Sequence, residues 1–460
     1  MLTSFKTLPR LGAMAVAASL LFGATIASAQ RVENAPELSE KVSAGIAPLA
    51  AMYEAKKWDE AIKTIDGLLA KSEPSSYDRA FLSGYKAQLV FTKGEPAAAI
   101  EPLETMLKIG DEKGLFRWAR VLPINENETL STLSQLYMAE AAAPGKTKEA
   151  QQAAMSKAHA YGKRMVSGPK VTAEAQYMWA RILYSEATFG SEVDLNRMKE
   201  TAQEAAKVLR LTISPKDEHY TLYLAALQQL GDNAACSELL ELMVKKFPNN
   251  KSFWPMLFQT YLALQAANDK DAELGAVITL ERAQAVGQMV SNRDNYQLAG
   301  LYYNMQQHQY AAELLETGLR NGKIDSEQRN WELLANCYQQ MGKEARAIEV
   351  FLEAIKLFPK AGNLEQLIAQ IYYNADKPEQ ALKHFQAAVN KGLDKPAPTL
   401  VLVSYLALEL KRLDEALAAA EQAVKADPKS KEATSLLKLI KESIDEREKF
   451  KGTATAQPKK

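Results

Sequence analysis

Residues 331–359 read WELLANCYQQMGKEARAIEVFLEAIKLFP. Trp331, Leu334, Ala335 and Tyr338 fall at i, i+3, i+4 and i+7, which places them on one face of a helix. Beyond Gly342 a second stripe of Ala347, Phe351 and Ala354 begins. Pro359 ends it, because proline has no N–H to continue the hydrogen-bond ladder. Each helix carries one apolar stripe and nothing of its own to bury it against. The small residues Ala335, Ala347 and Ala354 suit places where two helices approach closely, while Trp331, Tyr338 and Phe351 fill the gaps between neighbours.

The same spacing recurs on both sides. Downstream, Ile368, Ala369, Tyr372, Ala381, Phe385 and Ala388 repeat it, and Ala347 to Ala381 spans 34 residues. The following unit offers Val403, Ala416, Ala420, Ala423 and Pro428. Upstream, Leu298, Ala299, Tyr302, Ala311, Leu315 and Gly318 fit, as do Trp254, Leu257, Phe258 and Tyr261 with Ala276, Leu280 and Ala283. Leu227, Gly231, Cys236, Leu240 and Pro248 precede them. Nearer the N-terminus, Met52, Ala61, Ile65 and Leu68 form one unit, and Gly94, Ala99, Leu103 and Met106 the next. Pro102 departs from the pattern, and a kink or early break is expected there. Residues 110–215 hold helical stripes separated by longer turns, around Pro144-Gly145 and Phe189-Gly190.

These offsets resemble the tetratricopeptide repeat (TPR) family, which uses them at a period of about 34 residues. The resemblance implies an all-α fold, a TPR-type right-handed superhelix (α-solenoid) of antiparallel helix pairs with a concave inner face. Along the chain the reading is an export signal over 1–29, a lead-in over 30–44, diverged TPR-like pairs over 45–216 and a regular TPR array over 217–428. A capping helix over 429–451 follows, with Leu436, Leu437, Ile440 and Ile444 on its one apolar face. A disordered tail over 452–460 completes it.

Composition narrows the function. The 460 residues carry 56 Lys+Arg and 56 Asp+Glu, a formal net charge of zero. That argues against a nucleic-acid binder, which needs a basic face to displace phosphate counterions. An apolar content of 47% excludes a mainly disordered chain. Lys6 and Arg10 precede an apolar run from Leu11 to Ile26, and Ala27-Ser28-Ala29 forms a small-x-small cleavage site before Gln30. The expectation is Sec export, a cleaved signal and a periplasmic protein with no integral membrane span.

A search for chemistry finds none. His159, His219, His308 and His384 fall in separate units and form no metal-binding pair. Pro144-Gly145-Lys146-Thr147 ends like a phosphate loop, but Glu140 stands where the first glycine belongs. Asp269, Asp271 and Glu273 imitate a calcium loop that lacks its glycine and final glutamate. Cys236 and Cys337 are two whole units apart and are expected to be reduced, buried and apolar in character. The protein is expected to be no enzyme and to bind no cofactor or metal.

In proteins of the TPR family, ligands generally lie against the first helix of each unit. Carried onto this chain, that groove offers Arg293, Tyr296, Tyr303 and Asn304, then Arg329, Glu332, Asn336, Gln339 and Gln340. Asn363, Gln366, Gln370, Tyr373 and Asn374 follow from the third unit. Side-chain amides both donate and accept, so such a ladder can pair with the backbone of an extended peptide. No lysine stands among these positions, so a carboxylate clamp is not expected. The ladder is nearly uncharged, and recognition through amides, aromatics and shape is expected to be only modestly salt-sensitive.

A closer resemblance rests on Ser76-Tyr77-Asp78-Arg79-Ala80 with Gln88, on residues 248–254, on the run from Tyr302 to Leu319, and on Asn330 to Tyr338. These stretches are similar to the secreted TPR proteins encoded beside TonB/ExbB/ExbD systems in marine gammaproteobacteria. The resemblance implies a scaffold whose partner belongs to that energy-transduction machinery. The alternatives are an envelope assembly factor for pili, polysaccharide or outer-membrane proteins, and the helical part of a cell-wall enzyme. The last needs a catalytic domain, and the stretch after Pro428 reads only as a helix and a tail.

Overall fold

The computed structural model describes residues 35–455, with side chains through 448. The export signal expected over 1–29 falls, with positions 30–34 and 456–460, outside the described residues. Among those described there is no strand, and the fold is an all-α solenoid of consecutive helices.

Two compact units divide the chain after Asp232. The first contains α1 (Glu40–Ile46), α2 (Leu49–Glu54), α3 (Trp58–Leu69), α4 (Tyr77–Lys93), α5 (Ile100–Glu112), α6 (Glu126–Ala142), α7 (Lys148–Val166), α8 (Ala173–Ala187), α9 (Leu195–Leu211) and α10 (Asp217–Leu230). The second contains α11 (Asn233–Lys246), α12 (Phe253–Ala266), α13 (Ala272–Ala285), α14 (Asn292–Asn304), α15 (His308–Asn321) and α16 (Gln328–Gln340). It continues with α17 (Glu344–Leu357), α18 (Gly362–Asn374), α19 (Pro378–Lys391), α20 (Pro396–Glu409), α21 (Leu413–Ala426) and α22 (Lys431–Thr455).

From α11 to α21 the helices settle into near-equal lengths, and each packs on the next. The turn from first to second helix repeats in detail. Asn268, Gln306, Gly342, Asp376 and Lys411 all take positive φ, between 55° and 67°. The residue that follows each one reaches back: Lys343 N–H donates to Tyr338 O at 2.8 Å, Gln307 to Tyr302 O at 2.8 Å, and Lys377 to Tyr372 O at 3.0 Å. This closure satisfies carbonyls that the helix end would leave orphaned.

Burial follows the stripes. Trp331, Leu334, Ala335, Ala347, Phe351 and Ala354 form one core cluster, closed below by Leu364 and Ile368. Ala381, Phe385, Leu406, Ala416 and Ala420 form the next, which Ile440 of α22 completes. Cys236 and Cys337 are buried and form no disulfide, and burial pushes the Cys337 thiol up to about 12.

A polar connector joins several pairs of successive repeats. The Tyr338 hydroxyl of α16 and the Arg346 guanidinium of α17 both donate to Glu316 of α15. Tyr261 donates to Glu241 at 3.2 Å, and Arg282 reaches the same carboxylate at 2.7 Å. Tyr302 donates to Glu281. In the first unit Glu104 of α5 accepts from Tyr137 at 2.7 Å, Tyr161 at 2.8 Å and Lys157 at 3.0 Å. Each connector therefore draws its acceptor from one helix and its donors from the following ones. Burial alone would raise Glu104 and Glu316, but these donors prevail and hold both below the ordinary carboxylate value.

Three local expectations change. Pro102 causes no break: α5 begins at Ile100, so the proline lies in the first turn, where its missing N–H costs no bond. Helix α1 begins within the stretch read as a lead-in, and Ser39 starts it by accepting from Val42 N–H. Helix α22 continues to Thr455, past the Lys451 end read from the sequence and into the expected tail.

Candidate functional site

The first helices α14, α16 and α18 each turn their apolar stripe inward, which leaves the residues between the stripes on an open face. Arg293, Asn304, Arg329, Gln340, Asn363, Gln370, Tyr373 and Asn374 are exposed, and Tyr296, Tyr303, Asn336, Gln339 and Gln366 are half-buried. Two contacts and one shared hollow join this face across helices. The Arg329 guanidinium of α16 lies 5.7 Å from the centre of the Tyr296 ring of α14. Asn363 of α18 donates to Glu332 of α16 at 2.7 Å, an oxygen that also accepts from Gln328. Arg293 shares a shallow hollow with Pro255 and Gln259 of α12. The residues at the second, fifth and ninth positions of neighbouring first helices thus form one continuous surface.

Some of the amides are already engaged. Gln370 donates to Asn374 at 2.9 Å within α18, and Tyr303 leans on His308 with ring centres 5.1 Å apart. Among the described residues the side chains of Asn304, Asn336, Gln339, Gln340 and Gln366 make no hydrogen bond, and Tyr373 is likewise free at 38% exposure. Free amides on an open face retain their full capacity to donate and accept.

The structure adds residues that the sequence reading passed over. Pro255 and Gln259 occupy in α12 the positions held by Tyr296 and Gly300 in α14, and both are exposed. Tyr405, 50% exposed, stands in α20 at the offset of Gln370 in α18. The same offsets applied one unit further in each direction would have found them. Lys251 lies one position before the offsets considered and lines the hollow beside Arg293.

The remaining chemistry-bearing residues have structural duties. Thr147 caps α7, its hydroxyl accepting from Ala150 N–H at 3.2 Å, so the Pro-Gly-Lys-Thr stretch is a helix start. Asp269 accepts from Asp271 N–H at 3.0 Å in the turn before α13. His159 pairs with Glu186 at 2.8 Å and His384 with Glu365 at 2.7 Å. Among the described residues no cluster of His, Cys, Asp and Glu could hold a metal ion, and no helix is long and apolar enough to cross a membrane.

Comparison with known proteins agrees with this geometry at the level of the repeat. Residues 328–360 and 367–431 match family models of the tetratricopeptide repeat. No curated protein matches the chain. Similar solved structures include MamA, 21% identical over 36% of this chain and 91% of that one, with a TM-score of 0.29. YrrB, described as a TPR protein with an unusual peptide-binding site, is 13% identical over 44% of this chain and 99% of that one, with a TM-score of 0.32. Pseudomonas aeruginosa pilF is 18% identical over 47% of this chain and 95% of that one, with a TM-score of 0.30.

Proposed function

We propose that these tetratricopeptide repeats make the protein a non-enzymatic scaffold that holds an extended segment of a partner protein along α12, α14, α16 and α18. The observation that carries the reading is the stitched surface itself. Its cross-helix contacts align Gln259, Arg293, Tyr296, Arg329, Glu332 and Asn363, and unengaged amides lie alongside. An extended backbone presents alternating donors and acceptors, which such amides can pair with, and the tyrosines add flat apolar area at low entropic cost.

The finer reading is a periplasmic adaptor exported through the signal of residues 1–29, with a component of the TonB/ExbB/ExbD machinery as partner. It rests on the cleavage pattern at Ala27-Ser28-Ala29 and on the resemblance over Ser76 to Ala80, 248–254, and Tyr302 to Leu319.

The test is a double substitution, Tyr303→Ala with Gln339→Ala, in the full chain, alongside photo-crosslinking in cells from position 303 or 339. Both side chains are half-buried, and Tyr303 packs at the edge of a core cluster. Capture of the crosslinked partner should fall about tenfold, the combined loss of two contacts of roughly 0.7 kcal/mol each, while helical content is kept and the melting temperature falls only slightly. Wild-type capture by the double variant removes the groove reading. Capture of an envelope assembly protein in place of a TonB-system component removes the finer one.

A further inference from the structure

We infer that the hollow between α12 and α14 receives an acidic side chain from within the bound segment, seated beside an aliphatic neighbour. This rests on the groove reading above. The hollow has a volume of about 340 Å³, with Lys251 and Arg293 among its lining and Pro255, Phe258 and Met289 as its apolar part.

Arg293 differs from the other arginines of the array. Arg282 pairs with Glu241, Arg320 and Arg346 with Glu316, Arg329 with Glu327, and Arg412 with Glu415. Among the described residues neither Arg293 nor Lys251 has a carboxylate partner. The hollow does hold one carboxylate, Asp294, but it is committed to its own helix start. It accepts from Ser291 N–H at 3.0 Å and from the Ser291 hydroxyl at 2.6 Å. Two cations without a direct carboxylate partner therefore border an apolar floor, with Asp294 as the one opposite charge in the hollow.

A carboxylate entering this hollow gains charge-assisted bonds to both cations, and an adjacent aliphatic side chain covers Pro255 and Met289. A neutral amide leaves both cations unpaired, and a basic residue meets like charge. Gln259 and Gln297 also line the hollow, so groups able to pair with a continuing backbone stand beside the cations. That favours a side chain within the segment over a chain terminus. The groove is then neutral along most of its length and selective for charge at one point. The salt sensitivity of binding should be concentrated there.

The probe is a library of random dodecapeptides displayed with their C-termini fused to the carrier, so that no free terminal carboxylate exists. It is selected on the full chain. Peptides retained by the wild type should carry Asp or Glu beside Leu, Ile or Val about two- to tenfold above the input frequency, the ratio that one or two exposed ion pairs support. Among the peptides that the variant Lys251→Gln with Arg293→Gln retains, the acidic enrichment should be lost, whatever the overall fall in retention. Arg293→Glu should shift the enrichment to Lys or Arg. Circular dichroism on each variant checks that the helices persist. Retained peptides without acidic enrichment, or enrichment that survives in the Gln variant, overturn this inference and leave the groove reading standing. Failure of the wild type to retain any peptide overturns both.

Discussion

Gly362 opens α18 where that helix passes the end of α19, and it has no room for a side chain. A Cβ there would lie 2.4 Å from Gly392 O and 2.6 Å from Ala388 O. Both are backbone atoms that cannot swing aside. Gly362→Ala should therefore separate α18 from α19 and destabilise by about 1–3 kcal/mol, as overpacking does. Urea denaturation measures it, and an unchanged midpoint would mean that the two helices do not approach this closely. At the same scale Cys337 is chemically quiet. Burial raises its thiol to about 12, so almost no thiolate is present near neutral pH, and thiol reagents should not modify it in the folded protein.

Among the elements, the Glu–Tyr–Arg connectors carry the interactions that tie one helix pair to the next. Glu316→Ala removes the shared acceptor of Tyr338 and Arg346. It should cost on the order of 1–2 kcal/mol by urea denaturation, while Glu316→Gln, which keeps an acceptor, should cost less. Equal losses in the two variants would mean that packing, not the shared bond, is what matters. The connectors also predict acid lability. Burial opposes ionisation of Glu104, Glu316 and Glu365, yet their donors hold all three below the ordinary value of 4.5. The stability they contribute is present above 4.5 and lost as the pH falls through the depressed folded values. The melting temperature should fall on that acid limb more steeply in the wild type than in Glu316→Gln. The existence and register of these helices were legible because the stripes of residues 217–428 recur at nearly constant spacing. The connectors were not, because a glutamate on a polar face looks the same whether or not a tyrosine 22 residues later reaches it, as Tyr338 reaches Glu316. The residues of the proposed groove could be placed only where the repeat is most regular. Pro255 and Gln259 stand at the same offsets one unit earlier, outside the three units read for the groove, and Lys251 precedes the helix it serves.

For the molecule as a whole, a stack of helices has an end that must be covered. In the second unit α22 does this, burying Ala433 and Ile440 completely against α20 and α21. Truncation after Pro428 should expose that apolar surface. The shortened protein should then bind a hydrophobic dye and scatter light at concentrations where the full chain stays clear. A clear, dye-negative truncation would mean that α22 does not act as a cap. The connectors have a consequence of another kind, one of inheritance. Glu316 belongs to one repeat, and Tyr338 and Arg346 to the next. At this boundary the earlier repeat carries the socket and the later one the plug, and the boundaries at Glu241 and Glu281 are built alike. Among the described residues no glutamate–tyrosine connector joins α17 to α18 or α19 to α20. A gene segment duplicated within the connected repeats would bring its joint with it, whereas one inserted beyond α17 would bring no such joint.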